Sequence, residues 1–237
     1  AGWRSTYAPT WAFKADSQAE ADLVAVKAGE STKVRNVQLA PGGTVTGVIT
    51  DQFGQPVEGA WVDIEGNFPG RAGPGEGRYS GQTDANGRYV VNGVPAGDYT
   101  PLVYSHDYAP EWSGDADHPS AATPIRVKAL KESTFDAQLA PGARLTGEVV
   151  NADGSPLSEY VVLDVFTADG RLIGDMDASA DTGAFMSSPL PAGEFVIRAG
   201  LVDSSVDVWF DAATSREDAT VVTLSRGEQM EITFHLP

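Results

Sequence analysis

The chain comes nearest to a catalytic or metal-binding pattern between His106 and His118, where two imidazoles stand among carboxylates. An imidazole beside carboxylates is the ligand type that zinc and other divalent metals use, and it is also the base of many hydrolases. The corresponding stretch of the second half of the chain has no histidine, and His235 has no counterpart either. We therefore expect a solvated acidic loop, and neither a catalytic residue, a metal site nor a cofactor. The carboxylates concerned are those of Asp107, Asp115 and Asp117.

The sequence Asp84-Ala85-Asn86-Gly87 resembles the opening of a calcium-binding loop. Calcium requires six to eight oxygen ligands, and an EF-hand loop continues to a glutamate at its twelfth position. Here a strand pattern follows at once from Arg88, and Asn and Gly can take the positive φ of a tight turn. This pattern favours a hairpin turn, with weak calcium binding as the alternative.

Trp61 is the strongest candidate for contact with a ligand. Ala60, Val62 and Ile64 alternate with Trp61 and Asp63, which places the indole and the carboxylate on the outward face of a strand. Sugar-binding sites stack pyranose rings on flat aromatic faces. The alternative is that Trp61 packs under the loop of residues 66–77 or against an adjacent unit; its counterpart in the second unit is predicted to be Val161. The candidate ligand-binding residues are Trp61, Asp63, Arg71, Arg78 and Tyr79.

A tandem repeat must position all of these side chains. The sequence Gln-Leu-Ala-Pro-Gly occurs at residues 38–42 and again at 138–142, and a second motif occurs at 95–99 and 191–195. A period near one hundred residues indicates an array of whole small domains. We predict two full units, residues 42–141 and 142–237, after the last part of a truncated unit in residues 1–41. Trp11, Trp112 and Trp209 take equivalent places in the three units, for which we expect a structural role.

Each full unit shows seven short β-strand patterns separated by turn residues. Such spacing predicts an all-β fold of tandem seven-stranded antiparallel sandwiches. In the truncated unit, residues 23–28 and 32–39 are expected to form a ribbon that packs on a neighbouring unit or pairs with another chain, because two or three strands cannot close a sandwich. The strands predicted in the first full unit span residues 44–50, 60–65, 79–83, 88–92, 99–105, 124–129 and 133–139, with hairpins at 84–87 and between the last two.

Composition excludes several classes of protein. Acidic residues outnumber basic ones 33 to 16, which gives a net charge of −17 and opposes binding to nucleic acid or to an anionic membrane. The chain has no cysteine, and therefore neither a disulfide nor a thiolate metal site. No run of eighteen apolar residues is present, so we expect no membrane insertion.

The sequence from Gly43 to Val62 resembles the start of carboxypeptidase-regulatory-like domains, and residues 83–99 resemble their middle. The resemblance implies a prealbumin-like (transthyretin-type, immunoglobulin-like) sandwich of the kind found in tandem on bacterial surface and secreted proteins. The Tyr-Ala-Pro-Thr-Trp motif of residues 7–11 is similar to actinobacterial versions. In the related collagen-adhesin repeats a lysine of the first strand forms an isopeptide bond, and neither first strand here contains a lysine.

These patterns predict a non-catalytic structural or adhesive module of an extracellular protein, in which the sandwiches act as a stalk or spacer between other domains. The alternative is a carbohydrate-binding module of a secreted hydrolase, whose partner would be a polysaccharide or a host or cell-wall glycan. A third possibility, an accessory to a peptidase, rests on family analogy alone. A stalk needs Trp61 buried at a junction, whereas a binding module needs it open.

Overall fold

The computed structural model describes residues 6–8, 21–65, 79–155, 160–201 and 207–236, and the regular secondary structure within these ranges is almost wholly β-strand. It folds as two compact units. The first takes Ala1–Val103 and Glu111–Gln138, and the second takes Tyr104–Pro110 and Leu139–Pro237. The predicted all-β sandwich class is confirmed. In the described part of the chain, no helix is long and apolar enough to cross a membrane.

The first unit contains two sheets. One has the order β4-β1-β8, with β9 also paired to β1, and the other has the order β3-β2-β5-β6, with β7 also paired to β5. Most pairs are antiparallel, but β1 and β8 run parallel, from Thr44 beside Glu132 to Thr46 beside Thr134. The strands are β1 (Gly43–Asp51), β2 (Trp61–Glu65), β3 (Tyr79–Gln82), β4 (Arg88–Val94), β5 (Gly97–Tyr104), β6 (Glu111–Trp112), β7 (Ile125–Val127), β8 (Glu132–Thr134) and β9 (Ala137–Leu139).

The second unit repeats this plan with sheets of order β13-β10-β17 and β12-β11-β14-β15, the latter with β16 also paired to β14. Its closing strand β17 again runs parallel to the first strand, β10. One turn of 3-10 helix, Phe210–Ala212, follows β15. The strands are β10 (Arg144–Val150), β11 (Val161–Thr167), β12 (Leu172–Ala178), β13 (Ala184–Met186), β14 (Gly193–Leu201), β15 (Asp207–Trp209), β16 (Val222–Leu224) and β17 (Gln229–His235).

Alternation along the strands produces the core of each unit. In the first unit Ala60, Val62 and Ile64 are fully buried, and Tyr99 is buried with its hydroxyl donating to the Pro95 carbonyl at 2.8 Å. In the second unit Val161, Leu163 and Val165 play the same part and belong to one cluster of buried apolar residues. Each fully buried aliphatic side chain contributes about 1.5–3 kcal/mol through the hydrophobic effect, which is why the period-two pattern predicts the sandwich.

Two predicted hairpins are wrong in their pairing, although the strands themselves form. The turn at 84–87 connects β3 to β4, but β4 pairs with β1 and β3 pairs with β2. The two closing strands also do not pair with each other, since β7 pairs with β5 and β8 pairs with β1. Sequence periodicity marks a strand without stating its partner, so in both places the chain crosses from one sheet to the other.

The structure also contains strand features that the sequence analysis missed. The two-residue strand β6 lies inside the stretch that we expected to be irregular, and the last predicted strand is divided into β8 and β9. At the division, the Asp136 carboxylate accepts a hydrogen bond from the Val48 backbone N–H at 2.8 Å. A side chain there replaces one bond of the strand ladder, which interrupts the strand at that point.

Residues 21–40 differ from the predicted strand ribbon, because no strand is assigned within them. Their backbone turns at Gly29, which has a φ of +78°. Thr32 donates to the Ala25 carbonyl at 3.1 Å, and Arg35 pairs with Asp22 at 3.3 Å. Short strands without a covered apolar face are marginal in water, which accounts for the missing ladder.

Candidate functional site

Trp61 lies on the outward face of β2, as its place in the alternation predicts, and 43% of its surface is exposed. Its cross-strand neighbour on β3 is Gln82, which is also exposed. The Gln82 side-chain amide donates to the Gly59 carbonyl at 3.0 Å, and this bond fixes the side chain beside the indole. An open indole next to an oriented amide provides a flat apolar surface with a polar rim.

The structure does not assemble the other predicted residues around Trp61. Asp63 is on the same face but only 1% exposed, so the expected open carboxylate is not found. Tyr79 is paired with Ile64, a fully buried residue. Residues directly opposite each other in an antiparallel pair share a face, so Tyr79 belongs to the core-facing side of the sheet. Arg71 and Arg78 lie outside the described residues.

The predicted counterpart of Trp61 in the second unit was wrong by one residue. Val161 is fully buried and pairs with Ala178, which makes it the equivalent of the buried Ala60. The residue on the outward face is therefore Val162, and Asp63 corresponds to Asp164. A slip of one residue moves a side chain to the other face of a sheet, so burial corrects the alignment where sequence spacing could not.

A polar and aromatic row, which no sequence motif indicates, crosses the outer face of the second unit. Arg198 is paired with Asp164 on one side and with Trp209 on the other. Its guanidinium bonds the Asp164 carboxylate at 2.5 Å and lies 5.4 Å from the centre of the Phe166 ring, which in turn lies 5.5 Å from that of Trp209. This arrangement links three strands of the sheet. Asp164, Arg198 and Trp209 are far apart in sequence. Only the register of the three strands shows that they are neighbours.

Trp112 and Trp209 have matching local structure, in agreement with a structural role. Each backbone N–H donates to an alanine four residues later, at 2.8 Å for the Ala116 carbonyl and 3.0 Å for the Ala213 carbonyl. Each Trp also pairs with the middle of a long strand, Leu102 in β5 or Arg198 in β14. Both indoles are partly buried. Trp11 lies outside the described residues.

The histidines do not form a catalytic or metal-binding arrangement in the described part of the chain. His106 Nδ1 lies 2.9 Å from the Asp107 carboxylate, and both side chains are exposed. His118 Nδ1 accepts a hydrogen bond from the Ser120 backbone N–H at 3.1 Å, which is a local turn contact. Among the described residues, no group of three or more histidine or acidic side chains could hold a metal ion.

The loop considered for calcium is a tight turn stabilised from within. The Asp84 carboxylate accepts hydrogen bonds from the backbone N–H groups of Asn86 at 2.8 Å and Arg88 at 2.9 Å. These bonds, with that of Arg88 the stronger influence, lower the pKa of the exposed Asp84 carboxyl below its usual value. Gly87 supplies the positive φ of +71° that the turn needs. One carboxylate oxygen is thus already committed to the protein backbone.

Glu111 is an acid whose carboxyl is strongly affected by burial. It is paired with the fully buried Val103, and Val208 holds the equivalent place in the second unit, where it pairs with Ala199. Burial, and secondarily the negative charge of Asp115, raises the pKa of Glu111 to about 7. The first unit thus has an acid where the second unit has a valine. Because the position is partly buried, a charged Glu111 destabilises the folded state.

One backbone arrangement occurs twice, at the Ala-Pro-Gly sequence that precedes each full repeat. The Ala8 N–H donates to the Ala40 carbonyl and the Gly42 N–H to the Thr6 carbonyl, both at 2.9 Å. One repeat later, the Ala109 N–H donates to Ala140 and the Gly142 N–H to Asp107, both at 3.0 Å. We call the Tyr-Ala segment together with the Ala-Pro-Gly segment that it bonds the junction clamp. In the second clamp the Arg144 guanidinium also donates to the His106 carbonyl.

Comparison with known proteins agrees with the resemblance seen in the sequence. Residues 44–140 match the family model of the carboxypeptidase regulatory-like domain. No curated protein matches the chain in sequence.

Three solved structures align over most of the chain at low identity. The Bacillus anthracis TIE protein is 12% identical over 82% of this chain, which spans 33% of that protein, with a TM-score of 0.33. GBS52, the minor pilin of Streptococcus agalactiae, is 12% identical over 81% of this chain and 94% of its own, with a TM-score of 0.34. A streptococcal ancillary pilin is 13% identical over 82% of this chain and 62% of its own, with a TM-score of 0.32. Scores this low support no inference about function.

Proposed function

We propose that this protein is a non-catalytic structural module, in which sandwich repeats act as a spacer between other domains of a secreted or surface protein of bacteria. The junction clamp is the observation that carries this proposal. Both described clamps make the same pair of backbone hydrogen bonds, with lengths between 2.9 and 3.0 Å. A connection that is bonded along its length has little freedom to act as a flexible tether.

The sequence of the clamp adds to its stiffness. Pro41 and Pro141 fix their own φ and restrict the preceding alanine to extended conformations. Tyr7 and Tyr108 form the matching β-bridges to these prolines. Gly142 fits a space without room for a side chain, since a Cβ there would overlap the Pro189 ring. These features favour a stiff Ala-Pro-Gly segment at the start of each full unit.

The spacer role makes a local prediction that NMR relaxation can test. Backbone order parameters of Ala140 and Gly142 should match those of the neighbouring strand β10, at about 0.85. Ala109→Pro removes one clamp donor and should lower both values, whereas Ala152→Pro, at an exposed turn position, should not. Order parameters below about 0.6 in the unaltered protein would refute the clamp as a stiff connection.

Glycan binding is the second candidate function, and the exposure of Trp61 favours it. A spacer was expected to bury Trp61 at a junction and a binding module to leave it open, and 43% of its surface is exposed. At this residue the criterion favours the binding module, and the spacer proposal depends on the junction clamp instead. The candidate site consists of Trp61 and Gln82, because Asp63 is buried and Tyr79 belongs to the other face.

Affinity electrophoresis against a panel of soluble polysaccharides, with pull-down on insoluble ones, tests this second function. Specific retention should disappear in Trp61→Ala and persist in Phe53→Ala, a control in which another exposed aromatic residue is removed from a turn of the same unit. If no glycan retains the protein, or if both variants are retained equally, Trp61 is not a glycan site and the spacer function stands alone.

A further inference from the structure

Residues 21–40, which we call the exposed ribbon, have the sequence of the segment that closes a full unit. Lys27-Ala28 corresponds to Lys128-Ala129, and Gln38-Leu39 corresponds to Gln138-Leu139. The turn between these pairs also agrees in conformation, since Gly29 has a φ of +78° and its counterpart Leu130 has a φ of +59°. The ribbon therefore already follows the course of a closing segment at its turn.

The apolar side chains of the ribbon are exposed where their counterparts are buried. Val127, Ala137 and Leu139 of the first unit are 0%, 8% and 0% exposed. The corresponding Val26, Val37 and Leu39 of the ribbon are 70%, 43% and 46% exposed. Exposed aliphatic side chains at positions that are buried in a full unit indicate that a covering partner is absent.

Both full units show what covers a closing segment. In the first unit β7 pairs with the start of β5, at Gly97 to Tyr99, while β8 pairs in parallel with β1. In the second unit β16 pairs with β14 in the same way, and β17 pairs in parallel with β10. The closing segment thus bridges two sheets, and what it needs is the front part of a sandwich that contains both the first and the fifth strand.

Glycine in the first strand makes this contact selective. A Cβ on Gly47 would overlap the Phe135 carbonyl of the closing segment, and a Cβ on Gly147 would overlap the Ile232 carbonyl. The ribbon has one residue more between Val34 and Val37 than the first unit has between Phe135 and Ala137, so the ribbon residue that corresponds to Phe135 is Val34. A first strand that covers the ribbon must therefore leave the space beside the Val34 carbonyl without a side chain.

We propose that the exposed ribbon is the docking site for the front part of a sandwich of this same repeat type, equivalent to residues 43–101. Its first strand runs parallel to the second half of the ribbon and places a glycine against Val34. The interaction surface is independent of the spacer function, because it depends on the equivalence of the closing segments and not on the junction clamp.

The test supplies this partner in cis, by fusing a copy of residues 43–101 ahead of Ala1 of the full chain. Tethering keeps the effective concentration high. Amide hydrogen exchange at Val26, Val37 and Leu39 should slow by about 100-fold or more relative to the unfused protein, as expected for amides that enter a cooperative unit.

Two variants of the copied strand make the test selective. The copy carrying Gly47→Val should lose the protection of the ribbon amides. The copy carrying Thr50→Val should keep it, because valine has the shape of the threonine that it replaces on the same strand. Absence of protection in both the unaltered and the Thr50→Val fusions would overturn the proposal. Equal protection in the Gly47→Val fusion would show that no glycine is required opposite Val34. A ribbon that is already protected in a dimer of the unfused chain would show that a second copy covers it.

Discussion

Gly47 lies so close to the backbone carbonyl of Phe135 that the first strand and the closing segment meet without room for a side chain. Phe135 directly follows β8, which runs parallel to β1, and its N–H also donates to the Thr46 carbonyl at 2.9 Å. The second unit repeats it with Gly147 and Ile232. Both first strands contain the pair Thr-Gly, at 46–47 and 146–147, and its glycine is therefore a packing requirement.

Gly47→Ala should destabilise the first unit by about 1–3 kcal/mol, the range for inserting a methyl group into a packed site, because the obstacle is backbone and cannot rotate away. The free energy of unfolding from urea titration measures the effect. Gly174→Ala is the matched control, since the nearest atom to its Cβ is 4.0 Å away. A loss at Gly47 no larger than that at Gly174 would contradict the packing requirement.

Glu111 should make the stability of the first unit fall as pH rises. Its pKa in the folded protein is raised to about 7, mainly by burial, so its uncharged form is the one that folding favours. The associated stability is fully present below the unfolded pKa of about 4.3 and is lost as pH rises through about 7. Glu111→Gln should remove this dependence, as followed by denaturation midpoints between pH 4 and 8. Carbon-13 NMR that finds the Glu111 carboxyl titrating near pH 4 would contradict the assignment.

Arg198 and Asp164 should be energetically coupled, because their side chains are 33% and 19% exposed and bonded at 2.5 Å. A double-mutant cycle with Arg198→Leu and Asp164→Ala should give a coupling of about 1 kcal/mol, above the typical value for fully exposed pairs. Leucine is the informative replacement, since Leu102 occupies the equivalent place in the first unit. Strictly additive changes in the free energy of unfolding would show that the pair contributes only through packing.

The sequence was sufficient to predict where most strands lie and that two sandwiches form. The alternation of Ala60, Val62 and Ile64 predicts burial of one face, and all three residues are fully buried. Pairing could not be predicted in the same way. The connection at 84–87 has every feature of a hairpin turn, yet its strands belong to different sheets, because turn chemistry is local whereas the partner of a strand depends on the whole sandwich.

The candidate site shows the same division between local and long-range information. The outward position of Trp61 follows from period two alone, whereas the burial of Asp63, two residues further on the same face, does not. The row of Asp164, Arg198 and Trp209 requires the register of three strands, which no sequence motif encodes. Likewise, the Ala-Pro-Gly sequence was recognisable as a repeat, but its hydrogen bonding to the Tyr-Ala segment depends on the tertiary structure.

The spacer function is tested most directly by a distance measurement between the two units. The chain contains no cysteine, so Gln52→Cys and Ala168→Cys, at exposed turn positions, allow one spin label to be placed in each unit. Pulsed electron paramagnetic resonance should give one narrow distance distribution, which Ala109→Pro broadens and Ala152→Pro leaves unchanged. A distribution that is already broad in the protein with an intact junction clamp would contradict the proposal that this chain is a spacer.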